Sequence, residues 1–275
     1  MTVAPAPSLQ SCVDRLDELQ VFPVAALRVL ALARDPDVTL VQLEEAMASD
    51  PVLAAETLSI ANSAAMARKV PVRSLTRAVQ VLGLAGAREL VLTAIVGAVA
   101  SSRAPWGPLL HRHALLTATI SRAIANRTPY VDASEAYVVG LLHDLGLQLL
   151  LRLDPVAIER ILDAVGTSAL DKAERMRFGF THAELSSLCI REWGLPASLS
   201  LVVSAHHDPA EPRRENAPRL VLSVADELAD LLADGATERH VYGVLAVHPF
   251  NRVLELRDGV LRQLTEGILE TAARI

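Results

Sequence analysis

The residues best able to do chemistry are histidines and aspartates scattered over more than a hundred positions. Of the eight histidines in the chain, His113, His143, His182, His206 and His207 fall where they make sense together with Asp144 and Asp226. His111, His240 and His248 are left over. His143 and Asp144 are adjacent within the apolar stretch AYVVGLLHDLGLQLLL. Neighbouring helical residues point about 100° apart, so such a pair can grip one ion from two sides. A His and an Asp inside an apolar helix are unfavourable unless paired or ligated, and a hydrogen-bonded core pair would satisfy the same need. Asp226 raises the same question in RLVLSVADELADLL. Sets of imidazoles and carboxylates suit Fe, Mn, Zn or Ni better than Ca. A carboxylate lying between two such ions can bridge them, and an ion pair can activate water against a phosphoester.

Helices must do the positioning. Thr39 with Gln42 and Thr181 with Glu184 have capping-box spacing, the second placing His182 at a helix start. Asp50-Pro51 reads as an N-cap with Pro at the first helical position. Pro23 opens a helix through ALRVLALARD; Ser74 caps LTRAVQVLG and Gly83 ends it; another helix runs from about Ala85 to Ser101. Beyond the break APWGP at 104–108, helices are expected at Leu109 to Asn126, from Asp132 through Leu151, and over Pro155 to Val165. Three more run from Thr181 to Trp193, from Pro196 to near His207, and from Asn216 to Ala233. His113 lies early in the first of these six. Asn62-Ser63 ends an apolar run and is read as satisfying backbone groups. No strand alternation, fixed-period repeat or low-complexity tract is found. The expected fold is all-α, a multi-helix bundle in two packed halves: a loose tail over 1–8, an N-terminal subdomain over 9–104 and a C-terminal one over 105–275.

Composition sets the limits. Hydrophobic residues make up 51% and charged residues 21%, a globular balance, while aromatics are only 3%, so Leu, Val, Ala and Ile must build the core. A net charge of −6 gives no long-range attraction to nucleic acid or to anionic lipid, and Arg213-Arg214 is flanked by Glu211 and Glu215. Cys12 and Cys189 show neither CxxC nor CxxH spacing, which argues against a disulfide framework or a zinc knuckle. The start MTVAPAPSLQ does not read as a signal peptide, and the longest apolar run, 90–100, is short for a bilayer. A cytoplasmic protein is expected. There is no phosphate-cradling glycine loop and no GxSxG element. Trp106 and Trp193 read as core or boundary residues.

The order His…His-Asp…His…His-His…Asp resembles the HD superfamily, and the nearer resemblance is to the HDOD family, HD-related output domains of bacterial signalling proteins. FPVAALRVLALARDPDVTL, SDPVLAAETLSIANSA, VRSLTRAVQVLGLAGARELVL, GLLHDLG, FGFTHAELSSLCIREWGLP and HHDP carry it over roughly residues 20 to 230. The resemblance implies one metal held by His113, His143, Asp144 and Asp226. It implies a second held by Asp144, His182, His206 and His207, with Asp144 bridging. It also implies a regulatory role exercised on a protein partner in a signalling pathway, or, failing that, metal-dependent phosphoester hydrolysis. One departure concerns substrate. The related cyclic-di-GMP phosphodiesterases read HDxGK, whereas Leu147 stands here at the lysine position and Asp208-Pro209-Ala210 replaces their GYP motif. Arg112, Arg122 and Arg152 are not expected to stand in for that lysine.

Overall fold

The computed structural model describes residues 8–18, 24–32, 35, 37–62, 72–100, 105–165, 169–208 and 210–275. Residues 1–7 of the tail expected over 1–8, the Pro23 helix start, Ser63 and Ala104 lie outside them. The described residues form α-helices and no strand, as composition and periodicity require. Contacts divide the chain into two compact units, one of Asp14–Val99 and one of Ala100–Ile275 with the segment ending at Val13.

In the Asp14–Val99 unit, α2 (Val24–Leu32), α3 (Leu40–Ala48) and α4 (Pro51–Ala61) pack in succession, and a long α5 (Leu75–Ala100) follows. The Thr39–Gln42 capping box is formed, and Asp50 Oδ1 accepts from the Leu53 amide. Gly83 has φ 65°, a left-handed value that breaks α5 into two helical runs, so its expected role as a stop is met by a kink. Asn62 accepts from the Val72 amide at 2.7 Å and donates to the carbonyls of Leu58 and Val72, tying the end of α4 to the approach to α5. α1 (Leu9–Glu18) runs across the division at Val13, and its Cys12 is buried, as is Cys189; both are free thiols.

The larger unit is built on α6 (Trp106–Ala125), α7 (Ala133–Leu142) and α13 (Ala217–Ala233). Leu116, Ile120 and Ile124 of α6 meet Leu220, Val224 and Leu228 of α13, and α14 (Glu238–Val247) and α16 (Asp258–Ala272) close this core with Val241, Leu245, Leu261, Leu264 and Ile268. Spacing of three and four residues on each helix produces these stripes. α6 and α7 approach closely because residue 140 is glycine: a Cβ there would sit 2.7 Å from the Ala118 Cα.

Three expectations need correction. The helix expected from Asp132 through Leu151 is two helices, α7 and α8 (Leu145–Leu153), with His143-Asp144 in the turn between them. Asp144 has φ −103° and ψ 13°, outside helical values, so the dyad sits at a break in the chain and not along one apolar helix. The helix expected to end near His207 is α12 (Ala197–Ser204), and residues 205–207 form a turn. Between α9 (Pro155–Val165) and α11 (His182–Glu192) stands α10 (Leu170–Phe178), an element the sequence reading did not place. Two stretches, Leu75–Ala100 and Ala133–Leu153, are long and apolar enough to cross a membrane, but the first is kinked at Gly83 and the second is 78% buried in protein and interrupted by the dyad.

Candidate metal centre

Five local structures bring the seven candidate side chains together. α6 carries His113, the α7–α8 turn His143 and Asp144, the start of α11 His182, the turn after α12 His206 and His207, and α13 Asp226. Each is fixed by local chemistry. Asp132 caps α7 by accepting from the Ser134 and Glu135 amides. The Thr181–Glu184 capping box forms as its spacing requires and holds His182 at the first helical position of α11. Gly146 places the dyad turn directly on α11: its amide donates to Ser186 Oγ at 2.7 Å, and a methyl at residue 146 would overlap the His182 carbonyl oxygen.

Hydrogen bonds on the outer side of the cluster set the histidine tautomers. Nδ1 of His143 donates to the Gly140 carbonyl at 2.8 Å, and Nδ1 of His206 donates to the Val203 carbonyl at 2.7 Å. His182 Nδ1 donates to Glu174 Oε2 at 2.8 Å, and the same oxygen accepts the His182 amide at 2.7 Å. His113 Nδ1 faces Asp230 Oδ1 at 3.2 Å. In a neutral imidazole whose Nδ1 carries the hydrogen, Nε2 offers a lone pair. The inward face therefore consists of lone-pair atoms turned on one another. His182 Nε2 lies 3.2 Å from Asp144 Oδ1 and His206 Nε2 3.5 Å from it; His143 Nε2 lies 3.4 Å from Asp144 Oδ2. His113 Nε2 stands 2.9 Å from Asp226 Oδ1 and 3.2 Å from His143 Nε2, and His207 Nε2 is 3.0 Å from His182 Nε2. Asp144 Oδ1 and His206 Nε2 are buried without a hydrogen-bond partner. Asp144 thus faces His113 and His143 with one oxygen and His182 and His206 with the other.

Electrostatics give the same picture. Burial alone would lower the His113 and His182 pKa values, yet Asp226 and Asp230 beside His113, and Asp144 and Glu174 beside His182, raise both well above the usual imidazole value. His143 is raised, Asp144 and Asp226 prevailing over its burial. The histidines in turn hold Asp144 well below the carboxylate range and depress Asp226, against burial in both cases. His207 goes the other way, lowered to about 4 by burial and by His206 and His182. Without an ion, protons shared between imidazoles and carboxylates hold the cluster together; a divalent cation would supply the same charge to the same atoms. The donor set fits such an ion: Asp144, His182, His206 and His207 offer atoms within 4.8 Å of one another, as do His113, His143 and Asp144, and His143, His206 and Asp226.

Sequence reasoning missed the supporting carboxylates. Asp171 and Glu174 lie one turn apart on α10, whose polar sequence LDKAERMRF reads as solvated surface, yet Glu174 is fully buried behind His182. Asp171 Oδ1 lies 3.8 Å from both His182 Nδ1 and His207 Nε2. Asp230 was findable, one turn beyond Asp226 on a helix already marked for its buried aspartate. Two of the three leftover histidines have local duties: His240 Nδ1 accepts the Thr237 amide in a capping box, and His248 Nδ1 accepts the Phe250 amide. The cluster opens on one side into a cleft of about 790 Å³. Arg112 lines this cleft beside His113, since helical neighbours 100° apart both reach a cleft this broad.

The comparisons with known proteins bear on the fold and the family. An HDOD protein of unknown function from Geobacter sulfurreducens superposes with a TM-score of 0.72 at 25% identity, covering 96% of each chain. A candidate phosphohydrolase from Shewanella amazonensis SB2B gives 0.73 at 26% identity, covering 94% of this chain and 93% of that one. A candidate signal transduction protein from Marinobacter aquaeolei VT8, at 21% identity and a TM-score of 0.64, shares the fold and is covered over 62% of its length. An uncharacterized Treponema pallidum protein is 23% identical over 241 residues, and the chain spans only 45% of that relative's length. With the model of the HDOD domain matching residues 19–209, the chain belongs to the HDOD family.

Proposed function

We propose that this is a regulatory protein of the HDOD type, acting on a protein partner in a bacterial signalling pathway, whose larger unit is organised around a bound divalent transition metal. One observation carries the metal: seven side chains turn lone pairs toward a common interior, with Asp144 Oδ1 and His206 Nε2 orphaned there. His113, His143, Asp144 and Asp226 would hold one ion, and Asp144, His182, His206 and His207 a second. Glu174 and Asp230 orient His182 and His113 from behind, as carboxylates do behind metal-bound imidazoles. When bound, the metal supplies Lewis acidity and an activated water.

A second reading, metal-dependent phosphohydrolase, is favoured by the open cleft, whose walls include His113, Asp144, His182, His207 and Asp226. Elemental analysis of protein purified without chelator tests the metal, and turnover of generic phosphoesters with Mn or Fe added separates the two readings. The regulatory reading expects bound metal with no turnover above the Asp144→Ala background. Hydrolysis on the order of 1 per second, abolished by Asp144→Ala, makes the protein an enzyme.

A further inference from the structure

The cleft above the cluster has a composition the metal centre does not use. Two cations line it, Arg112 on α6 and Lys172 on α10. Five aspartates share the same walls, Asp144, Asp171, Asp226, Asp230 and Asp234, yet neither cation makes an ion pair among the described residues. Among the described residues the Arg112 side chain donates only to the Ala272 carbonyl, at 3.4 Å, a long contact, and Lys172 is exposed. The apolar part of the wall includes Trp106, Leu109, Leu147 and Leu170. Trp106 opens α6 six residues before Arg112 and is half-buried where it lines the cleft.

We propose that Arg112 and Lys172 are the anion-binding arm of this cleft, receiving the phosphate of a phosphoester whose planar body stacks on Trp106, and that the ligand enters only after the metal. This rests on the metal reading above. The chemistry is complementary. A phosphate carries nearly two negative charges at neutral pH and is matched by a guanidinium fork and an ammonium point charge. Five carboxylates against two cations repel that phosphate until divalent charge offsets them, which sets the order of binding. A planar aromatic group on the ligand gains stacking and apolar contact from Trp106 and its leucine neighbours. A cleft of about 790 Å³ accommodates a nucleoside monophosphate, the simplest ligand having both parts. Leu147, where the related phosphodiesterases have lysine, is 1% exposed and belongs to the apolar wall; the positive charge comes instead from Arg112 on α6 and Lys172 on α10.

Calorimetric titration of Mn-loaded and metal-stripped protein with AMP and with inorganic phosphate tests this, the metal content of each sample being measured first. AMP is expected to bind the loaded protein and not the stripped one. Lys172→Ala and Arg112→Ala should each weaken AMP about tenfold, the scale of one charge-assisted hydrogen bond. Trp106→Leu should bring AMP down to the affinity of inorganic phosphate. All three variants should keep wild-type metal content. Arg112→Ala also loses the contact with Ala272, so the exposed Lys172→Ala keeps the test independent of folding. A wild type that holds no metal overturns the metal centre and this ordering with it. A metal-loaded wild type indifferent to AMP, or one whose AMP affinity Lys172→Ala leaves unchanged, overturns the anion-binding arm alone.

Discussion

Glu174 shows what a single side chain contributes here. It is fully buried, spends one oxygen on both the amide and Nδ1 of His182, and so fixes which nitrogen of that imidazole faces Asp144. Glu174→Gln keeps the shape and removes the charge. Its expected effect is a 10–100-fold loss of Mn affinity in titration, the usual range for a carboxylate behind a ligating histidine, with a much smaller change in the metal-free melt. Protons compete for the same atoms. His113 and His182 have folded values raised above their unfolded ones, so they stabilise the metal-free fold fully below pH about 6.5, and that stability is lost as pH rises through the folded values. His207, lowered to about 4, opposes this by favouring the unfolded chain as pH falls below the ordinary imidazole value. Metal must displace the protons on His113 and His182, so affinity should rise with pH from 6 to 8 and binding should release protons, measurable by titration in buffers of different ionisation enthalpy. A pH-independent affinity would contradict the shared-proton cluster.

At the scale of elements, the capping boxes at Thr39 and Thr181 were legible because side-chain spacing alone defines them, and both form. The break at His143-Asp144 was not legible, since AYVVGLLHDLGLQLLL is apolar on all faces and its periodicity continues unbroken through the turn. What places the turn is tertiary: Gly146 donates to Ser186 and leaves no room for a Cβ against α11. Gly146→Ala should therefore destabilise the fold by about 3 kcal/mol, the upper range for overpacking, read in denaturant unfolding, and should lower metal affinity by displacing Asp144 and His182. A neutral effect on both would show that the α8–α11 contact does not set the dyad. α10 was missed for the converse reason: a short polar helix looks like surface, and only the pocket behind His182 makes Glu174 a core residue.

For the whole molecule, helical class and the residues that converge were both readable in advance, the second through the order of His and Asp along the chain. Most of the supporting shell was not, because Asp171 and Glu174 are ordinary in sequence and acquire their roles only when α10 is placed; Asp230, one turn beyond Asp226 on α13, was within reach. The cluster draws on residues from 113 to 226, so an ion at its centre would join α6, the dyad turn, α11, the turn after α12, and α13. The most direct measurement is equilibrium dialysis of chelator-stripped protein against Mn²⁺, with bound metal quantified for wild type, Asp144→Asn and Asp144→Ala. The account predicts at least one tightly held ion per chain in the wild type and loss of tight binding in both variants, with the helical circular-dichroism signal retained. Equal retention in all three proteins, or none in the wild type, would contradict it.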